Sequence, residues 1–397
     1  MRKYSGAFFA FALLTSLLLD PADSDVAPNP MTGGHPVVRH EEETTTVRMV
    51  EEDVVVRIYA DSIVTVGTFS MRNEGETVGM EVGFPFSHQN DIVRFRAFVD
   101  GQPVEVRYGE EEHSDSKGEK RWTTYWKLWD ATFRGGETCA IRVEYMTKPL
   151  KWTFFRLEEH PALPDDVADT LRRAMITGTA EYTLETGKSW KGALDRCKVS
   201  FELAGMSDAH LTHYSPEDGT VTANGVVWEY TDYEPRGMLM LTYCPYMPLR
   251  EIPDVLIGIV ERFPDDPRLA SEVGRFCANE LGRKDVLIEI YHSFLAKWDE
   301  PIPQLMEYAP DGRCRFDYDA GNHFFTVWQM ASSLFRNYGG QGEMEEYRDI
   351  APTVARISRA IVDSLDTCGG LPTSNEVLSR EAKEILELSN KLIEGRR

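Results

Sequence analysis

The best candidates for metal chemistry in this sequence are three side chains in its last third. Asp317, Asp319 and His323 lie within seven residues of one another, and carboxylate and imidazole groups are common ligands of divalent cations. The segment does not follow the ligand spacing of an EF-hand loop. In the alternative interpretation, Asp319 or Asn322 caps a helix that begins near residue 324. The sequence leaves both interpretations open.

Three tryptophans are candidates for stacking against a ligand. Trp122 and Trp126 fall on one face of a predicted strand, because side chains alternate between the two faces of a sheet. Trp190 follows a predicted turn at residues 186–187. Exposed indole rings in such positions bind sugars by stacking. The opposite face of the first strand also carries aromatics, Trp129 among them, which is typical of a strand buried between two layers. The alternative is therefore that the tryptophans belong to the core.

Paired carboxylates provide the basis for a hydrolytic hypothesis. Glycoside hydrolysis uses two carboxyl groups about 5–10 Å apart, and Glu185, Asp232 and Glu234 are possible members of such a pair. With 65 acidic residues in the chain, suggestive pairs also arise without function. The sequence contains no nucleophile-elbow serine and no glycine-rich phosphate loop. We therefore assign no catalytic residue and expect no cofactor.

The first half of the chain has the pattern of a β protein. Apolar β-branched and aromatic residues alternate with polar ones in runs such as 54–59 and 63–69, and turn residues at 73–76 predict a hairpin between strands. We predict a β-sandwich region over 44–245, either one sandwich or two, because many short strands follow at similar spacing. A short helix is predicted near 164–175, where apolar residues follow helical spacing.

The second half of the chain has the pattern of a helical domain. A proline cluster between residues 245 and 253 ends the strand pattern, because proline cannot donate to a sheet ladder. Apolar residues then recur at three- and four-residue steps, and Gly282 is placed to end one helix. We predict an α-helical domain of about six helices over 250–397. An ordinary bundle is favoured over a helical repeat, since no second copy follows at a fixed period.

Several segments of the β region together resemble a bacterial exported family, domain-of-unknown-function family 4424. The resemblance covers about residues 30–245 and leaves the helical half unmatched. It implies an exported β-rich domain and no particular chemistry. The segments that carry it are Met31-Thr32-Gly33-Gly34, Phe69-x-Met71-Arg72-Asn73 with Gly83-Phe84-Pro85, Thr124-Tyr125-Trp126 leading to Ala131-Thr132-Phe133, Tyr182-x-Leu184-x-Thr186-Gly187-x-x-Trp190-x-Gly192, and Trp228-x-Tyr230 with Glu234-Pro235.

The amino terminus has the features of a secretory signal peptide. Arg2 and Lys3 precede an uncharged apolar run over 6–19, and Ala22-Asp23-Ser24 provides small residues at a cleavage site. The run is shorter than the ~20 apolar residues of a spanning helix. We predict a signal peptide over 1–24, a flexible linker over 25–43, and export to the periplasm or the extracellular space. The alternative is that the apolar run stays uncleaved as an N-terminal anchor. No membrane-spanning segment is expected after removal of the signal.

Charge and cysteine content narrow the choice of partners. The formal net charge of −22 repels phosphate backbones, so nucleic acid is a poor candidate partner. Six cysteines allow 15 disulfide pairings, and we favour mostly buried free thiols, with one or two disulfides as the alternative that the sequence leaves open. The favoured function is an envelope or secreted protein that binds a protein or glycan partner, or acts as a scaffold, without catalysis. The alternative is a carbohydrate-active hydrolase that uses paired carboxylates.

The export hypothesis predicts a processed amino terminus. Intact-mass analysis of the protein recovered from fractionated native cells should show a chain that begins between about residues 22 and 25, in the periplasmic or extracellular fraction. A protein found in the cytosol with Met1 attached would contradict the hypothesis.

Overall fold

The computed structural model describes residues 37–38, 46–86, 92–114, 120–156, 160, 162–184, 189–301, 306–308, 314–316, 322–337, 347–366 and 373–394. The predicted signal peptide, and the predicted linker apart from residues 37–38, lie outside these ranges. Strands dominate the N-terminal and middle regions, and helices dominate the C-terminal part. The sequence prediction of a mainly β region followed by helices is confirmed at this level.

Eight strands form the largest sheet, in the order β14-β15-β12-β2-β3-β9-β5-β6. Neighbours pair antiparallel except β2 and β12, which lie parallel in register from Arg196 opposite Glu51 to Leu203 opposite Ile58. Along β2 and β3, buried residues alternate with more exposed ones, which is the pattern that the sequence shows. The strands are β2 (Val47–Ile58), β3 (Ile63–Asn73), β5 (Ile92–Val99), β6 (Gln102–Pro103), β9 (Thr138–Thr147), β12 (Leu194–Leu203), β14 (Thr220–Thr222) and β15 (Gly225–Tyr233).

Two four-stranded sheets share a hydrophobic core with the large sheet. The ring of Phe84 lies 4.9 Å from that of Tyr145, and the ring of Phe95 lies 6.0 Å from that of Trp129, so aromatic side chains join one small sheet to the large one. The first small sheet contains β1 (Val37–Val38), β4 (Val78–Phe86), β8 (Lys120–Phe133) and β7 (Arg107–Ser114), and the second contains β10 (Leu150–Thr153), β11 (Ile176–Thr183), β16 (Met238–Tyr243) and β13 (Leu211–Ser215).

A buried carboxylate joins the second small sheet to the large sheet. The hydroxyl of Tyr182, on β11, donates to Glu52 Oε1 at 2.8 Å, and the thiol of Cys197 donates to Glu52 Oε2 at 3.1 Å. Glu52 and Cys197 are also partners in the parallel ladder between β2 and β12. Burial, reinforced by the Glu52 charge, raises the pKa of the tyrosine and of the cysteine, so both groups stay protonated as donors. This network fixes the position of one sheet on the other.

The prediction that residues 73–76 form the turn of a hairpin is wrong, because the strands on either side of the turn do not pair with each other. β3 ends at Asn73, but its neighbours are β2 and β9, and β4 pairs instead with β1 and β8 in another sheet. The turn connects the two sheets. The Asn73 side chain accepts from Gly75 N at 2.9 Å and donates to Phe133 O at 2.9 Å, which ties the turn to β8. The local signal predicted the turn, and long-range packing decided which strands pair.

Seven helices lie in the described residues, and the predicted helix near 164–175 is one of them. Val167 and Leu171 on that helix pack into the helical core, as does Phe155 after β10, so part of the middle region joins the helical half. None of the described helices combines the length and apolar character needed to cross a bilayer. The helices are α1 (Asp165–Ala174), α2 (Ile252–Arg262), α3 (Pro267–Asn279), α4 (Lys284–Lys297), α5 (Asn322–Asn337), α6 (Ala351–Asp366) and α7 (Thr373–Glu394).

Among the side chains that the structure describes, four cysteines are buried free thiols: Cys139, Cys197, Cys244 and Cys277. Burial raises the pKa of the Cys139 thiol to about 11 and that of the Cys244 thiol to about 12. A thiol that stays protonated is a poor nucleophile, so these groups act as small core residues.

The buried network around Glu52 predicts a specific loss of stability. Tyr182→Phe should lower the free energy of unfolding by about 1–3 kcal/mol, because a buried carboxylate oxygen loses one of its donors. Tyr243→Phe is the matched control, since Tyr243 is equally buried but its hydroxyl lies 3.4 Å from the carbonyl of Tyr59. Urea denaturation should show a loss below about 1 kcal/mol for that control. Equal losses in both variants would rule out a special role for the Glu52 contact.

Candidate functional site

The tryptophans considered as ligand platforms lie in the interior where the structure describes them. Trp126 is 9% exposed and Trp190 is 4% exposed. The Trp190 ring packs edge-on against Phe133 at 6.0 Å. The backbone of Trp122 belongs to β8, and its side chain lies outside the described residues. A sugar cannot stack on a ring face that core residues cover, so the two described indoles are not available as a surface platform.

The metal and carboxylate candidates are not brought together in the described part of the chain. Asp317 and Asp319 lie outside the described residues, as does the side chain of His323, whose backbone lies at the start of α5. Glu185 also lies outside them, and Asp232 and Glu234 are exposed. Within the described ranges, no group of three or more His, Cys, Asp or Glu side chains is arranged to hold a metal ion.

A cleft of about 380 Å³ lies between helix α3 and the chain segment that follows strand β10. Its volume falls within the ~300–1,000 Å³ range typical of small-molecule sites. A second depression, between α2 and α4, has a volume of only about 50 Å³. Of these two cavities, the larger cleft is the better candidate for a ligand site.

One wall of the cleft is a stripe of side chains along α3. Glu272, Arg275, Phe276, Asn279 and Glu280 line it, and their spacing of three, four, seven and eight residues places them on one side of a helix. The remaining face of α3 packs into the helical core. The helix is therefore held by its apolar face while it presents charged and polar groups to the cleft.

The opposite wall comes from the end of the edge strand β10. Thr153, Phe154 and Arg156 line the cleft on this side. Phe154 N donates to the carbonyl of Met175 at 3.0 Å, which holds the segment beside the end of α1. The Phe154 ring packs on that of Phe276 at a centroid distance of 5.4 Å. This aromatic pair joins the two walls and forms the apolar part of the cleft.

A buried histidine fixes the segment to the start of α3. His160 Nδ1 lies 3.0 Å from Asp266 Oδ2, and His160 Nε2 lies 3.3 Å from Glu272 Oε2. The imidazole stacks on the ring of Phe155 at 5.2 Å, and its side chain is fully buried. Asp266 also caps α3 by accepting from Leu269 N at 2.9 Å. His160 thus links the cap of the helix to a carboxylate of the cleft.

The electrostatic environment keeps His160 charged. Burial opposes the protonated form, but hydrogen bonds to Asp266 and Glu272 outweigh it and raise the pKa of His160 to about 9. Both ring nitrogens of an imidazolium donate, which suits one carboxylate on each side. The charged ring therefore orients Glu272, whose side chain is 10% exposed.

The two cleft carboxylates differ in their surroundings. Glu272 is held by His160. Glu280, at the C-terminal end of α3, is half-buried, and within the described residues it has no ion-pair or side-chain hydrogen-bond partner. Burial raises the pKa of Glu280 above its usual range. The cleft thus combines an oriented carboxylate, an unpaired carboxylate, two guanidinium groups and an amide.

None of these cleft residues was a sequence candidate. The available signal was the polar series of residues 272, 275, 279 and 280 in a segment whose other residues, apart from Arg268 and Ser271, are not polar. Such a series usually marks a solvated helix face. It becomes one wall of a cleft only because residues 153–156 pass beside it.

No known family model matches this chain, and no curated protein matches it. Among solved structures, a candidate nutrient-binding protein from Legionella pneumophila is similar at 13% identity and a TM-score of 0.41, over 75% of this chain and 97% of that one. An M1 zinc metallopeptidase from Deinococcus radiodurans is similar at 9% identity and a TM-score of 0.25, over 91% of this chain and 96% of that one. Likeness at these levels carries no argument about function.

The charged state of His160 predicts a pH-dependent contribution to stability. Because the folded pKa of about 9 exceeds the unfolded value near 6.5, the contribution is fully present below pH 6.5 and is lost as the pH rises through 9. Urea denaturation of the wild-type protein and His160→Gln should differ by about 3 kcal/mol at pH 6, with a much smaller difference at pH 10.

His292→Gln is the matched control for this experiment. The His292 ring lies near the surface, 3.0 Å from Asp349, where an ion pair contributes little. It should change the free energy of unfolding by less than about 1 kcal/mol. If the difference in unfolding free energy between the wild-type protein and His160→Gln does not change between pH 6 and pH 10, the interpretation that a charged His160 holds Asp266 and Glu272 is contradicted.

Proposed function

We propose that this chain is an exported, non-catalytic binding protein of the cell envelope, and that the cleft beside α3 is its ligand site. In this proposal the β half, arranged as packed sheets in the manner of a sandwich, is a rigid support. A protein or glycan partner would present a small polar group to the cleft. The resemblance of the β region to exported family 4424 is part of the same proposal.

The observation that carries the proposal is the charged lining of an open cleft of ligand size. Arg275 and Asn279 are exposed, while Glu280 is partly buried without a described partner. A half-buried carboxylate without a cation costs free energy, and a bound ligand can offset that cost. The arrangement therefore supports binding of a small polar molecule.

A hydrolase remains the second candidate because two carboxylates, Glu272 and Glu280, line the same cleft. One is oriented and the other has a raised pKa, as acid–base chemistry requires. Their positions on α3 are eight residues apart, which corresponds to about 12 Å of helix rise. Glycosidases hold their two carboxyl groups about 5–9.5 Å apart. Because the helix rise measures the backbone and not the carboxyl groups, an assay for a cleavage product decides between the two functions.

A panel of defined compounds tests the proposal by thermal shift. The panel contains free amino acids, dipeptides, monosaccharides, disaccharides, nucleotides and divalent cations. At 100 times its Kd, a ligand of the folded state adds about 2.7 kcal/mol of stability. At least one compound should therefore raise the Tm of the wild-type protein by several degrees. Asn279→Trp should abolish this shift, because a large ring at this exposed position fills the cleft.

Lys284→Trp is the control, since it places the same ring on an exposed position of α4 outside the cleft lining. It should preserve the shift. The proposal fails if no compound shifts the wild-type Tm, or if Asn279→Trp keeps the full shift. Release of a cleavage product from a panel sugar, lost in Glu280→Gln, would favour the hydrolase instead.

A further inference from the structure

The negative end of the cleft is Glu280. Its carboxylate is half-buried and has no ion pair with any described residue, and Glu272, the other cleft carboxylate, is already held by His160. An ammonium group is the natural complement of a desolvated carboxylate, because it supplies both charge and up to three N–H donors. Glu280 is therefore the position in the cleft where a cationic ligand group gains most.

The positive groups of the cleft are Arg275 and Arg156. Arg275 is exposed, and its Nε donates to the carbonyl of Ser271 at 3.4 Å, which directs the side chain along the helix. A guanidinium carries five N–H donors in a planar fork that matches a carboxylate. Arg156 adds a second guanidinium from the opposite wall. A ligand carboxylate is therefore the natural partner of Arg275.

The spacing of the two ends indicates the size of the ligand. Arg275 lies on α3 and Glu280 directly follows its last residue, so their backbone positions are separated by about 7.5 Å along the helix axis and by about 140° around it. Two residues of extended chain span about 7 Å. Between the ends, the Asn279 amide offers a donor and an acceptor for a peptide group, and Phe154 offers an apolar surface.

We infer that the cleft binds a short zwitterionic peptide, with its ammonium at Glu280 and its carboxylate at Arg275. The inference rests on the proposed binding function and names its ligand class. A neutral sugar leaves both charged groups without partners. A dicarboxylate places a negative charge beside Glu280, and a free amino acid spans less than the distance between the two ends.

Isothermal titration calorimetry with L-alanyl-L-alanine tests this inference. The comparison ligands are N-acetyl-alanyl-alanine, alanyl-alanine amide, alanine and maltose. The free dipeptide should bind most tightly, and loss of either terminal charge should weaken binding at least about tenfold, as expected for a hydrogen bond to a charged group.

Two variants assign the ends of the ligand. Glu280→Gln should weaken dipeptide binding at least about tenfold and should no longer distinguish the free from the acetylated amino terminus. Arg275→Gln should no longer distinguish the free acid from the amide. Lys284→Gln, outside the cleft, should bind as the wild type does. An unchanged Tm for each variant would verify that the fold is retained.

The outcomes separate this inference from the binding proposal. Tight binding of maltose with no binding of the dipeptide would overturn the zwitterion inference and leave a binding cleft in place. Equal affinity for free and capped dipeptides would also overturn the inference. If wild-type protein binds none of these ligands and nothing in the wider panel, both the inference and the proposed function fail.

Discussion

The structure of the candidate site depends on one buried contact, the imidazole of His160 between Asp266 and Glu272. An imidazole held by two carboxylates in the interior is stable when it is charged, because each carboxylate then accepts from one ring nitrogen. Asp266 is at the same time the cap of α3. A single cation therefore fixes the chain segment after β10, the start of α3 and the orientation of one cleft carboxylate.

The contact of His160 with Asp266 and Glu272, which we call the clamp, explains why the two carboxylates of the cleft differ in their hydrogen bonding. Because His160 holds Glu272, Glu280 is the one of the two cleft carboxylates that has no ion-pair or side-chain hydrogen-bond partner among the described residues. The aromatic pair of Phe154 and Phe276 closes the apolar side and keeps the two walls together. The clamp sets the position of α3, and that position brings Arg275, Asn279 and Glu280 into a common space with Arg156. The chemistry of the cleft follows from packing that lies outside it.

Local sequence patterns predicted the positions of strands and helices better than they predicted which strands pair with each other. The alternation in β2 and β3 is visible because one face of each strand is buried, and α1 is visible because Val167 and Leu171 recur at helical spacing. The turn after Asn73 was also predictable, but the pairing of β4 with β8 was not. Pairing depends on contacts between residues far apart in sequence, which a local pattern does not contain. The parallel pair of β2 and β12 is another example.

The site was less predictable than the fold for the same reason. The tryptophans were candidates for ligand stacking because of their residue type and local position, yet Trp126 and Trp190 are buried. The charged stripe on α3 has the appearance of a solvated helix face until residues 153–156 are placed beside it. His160 lies between two carboxylates that are more than 100 residues further along the chain. No local spacing relates it to them, so its role emerges only from the folded structure.

The most direct test of this account is the protonation state of His160 in the folded protein. Nitrogen-15 NMR of histidine-labelled protein at pH 7.5, with His160→Gln used to assign the signal, reports whether one or both ring nitrogens carry a proton. Both Nδ1 and Nε2 of His160 should be protonated at this pH. A neutral ring with a single proton would contradict it, because the clamp that orients Glu272 and positions α3 would then lack its charge.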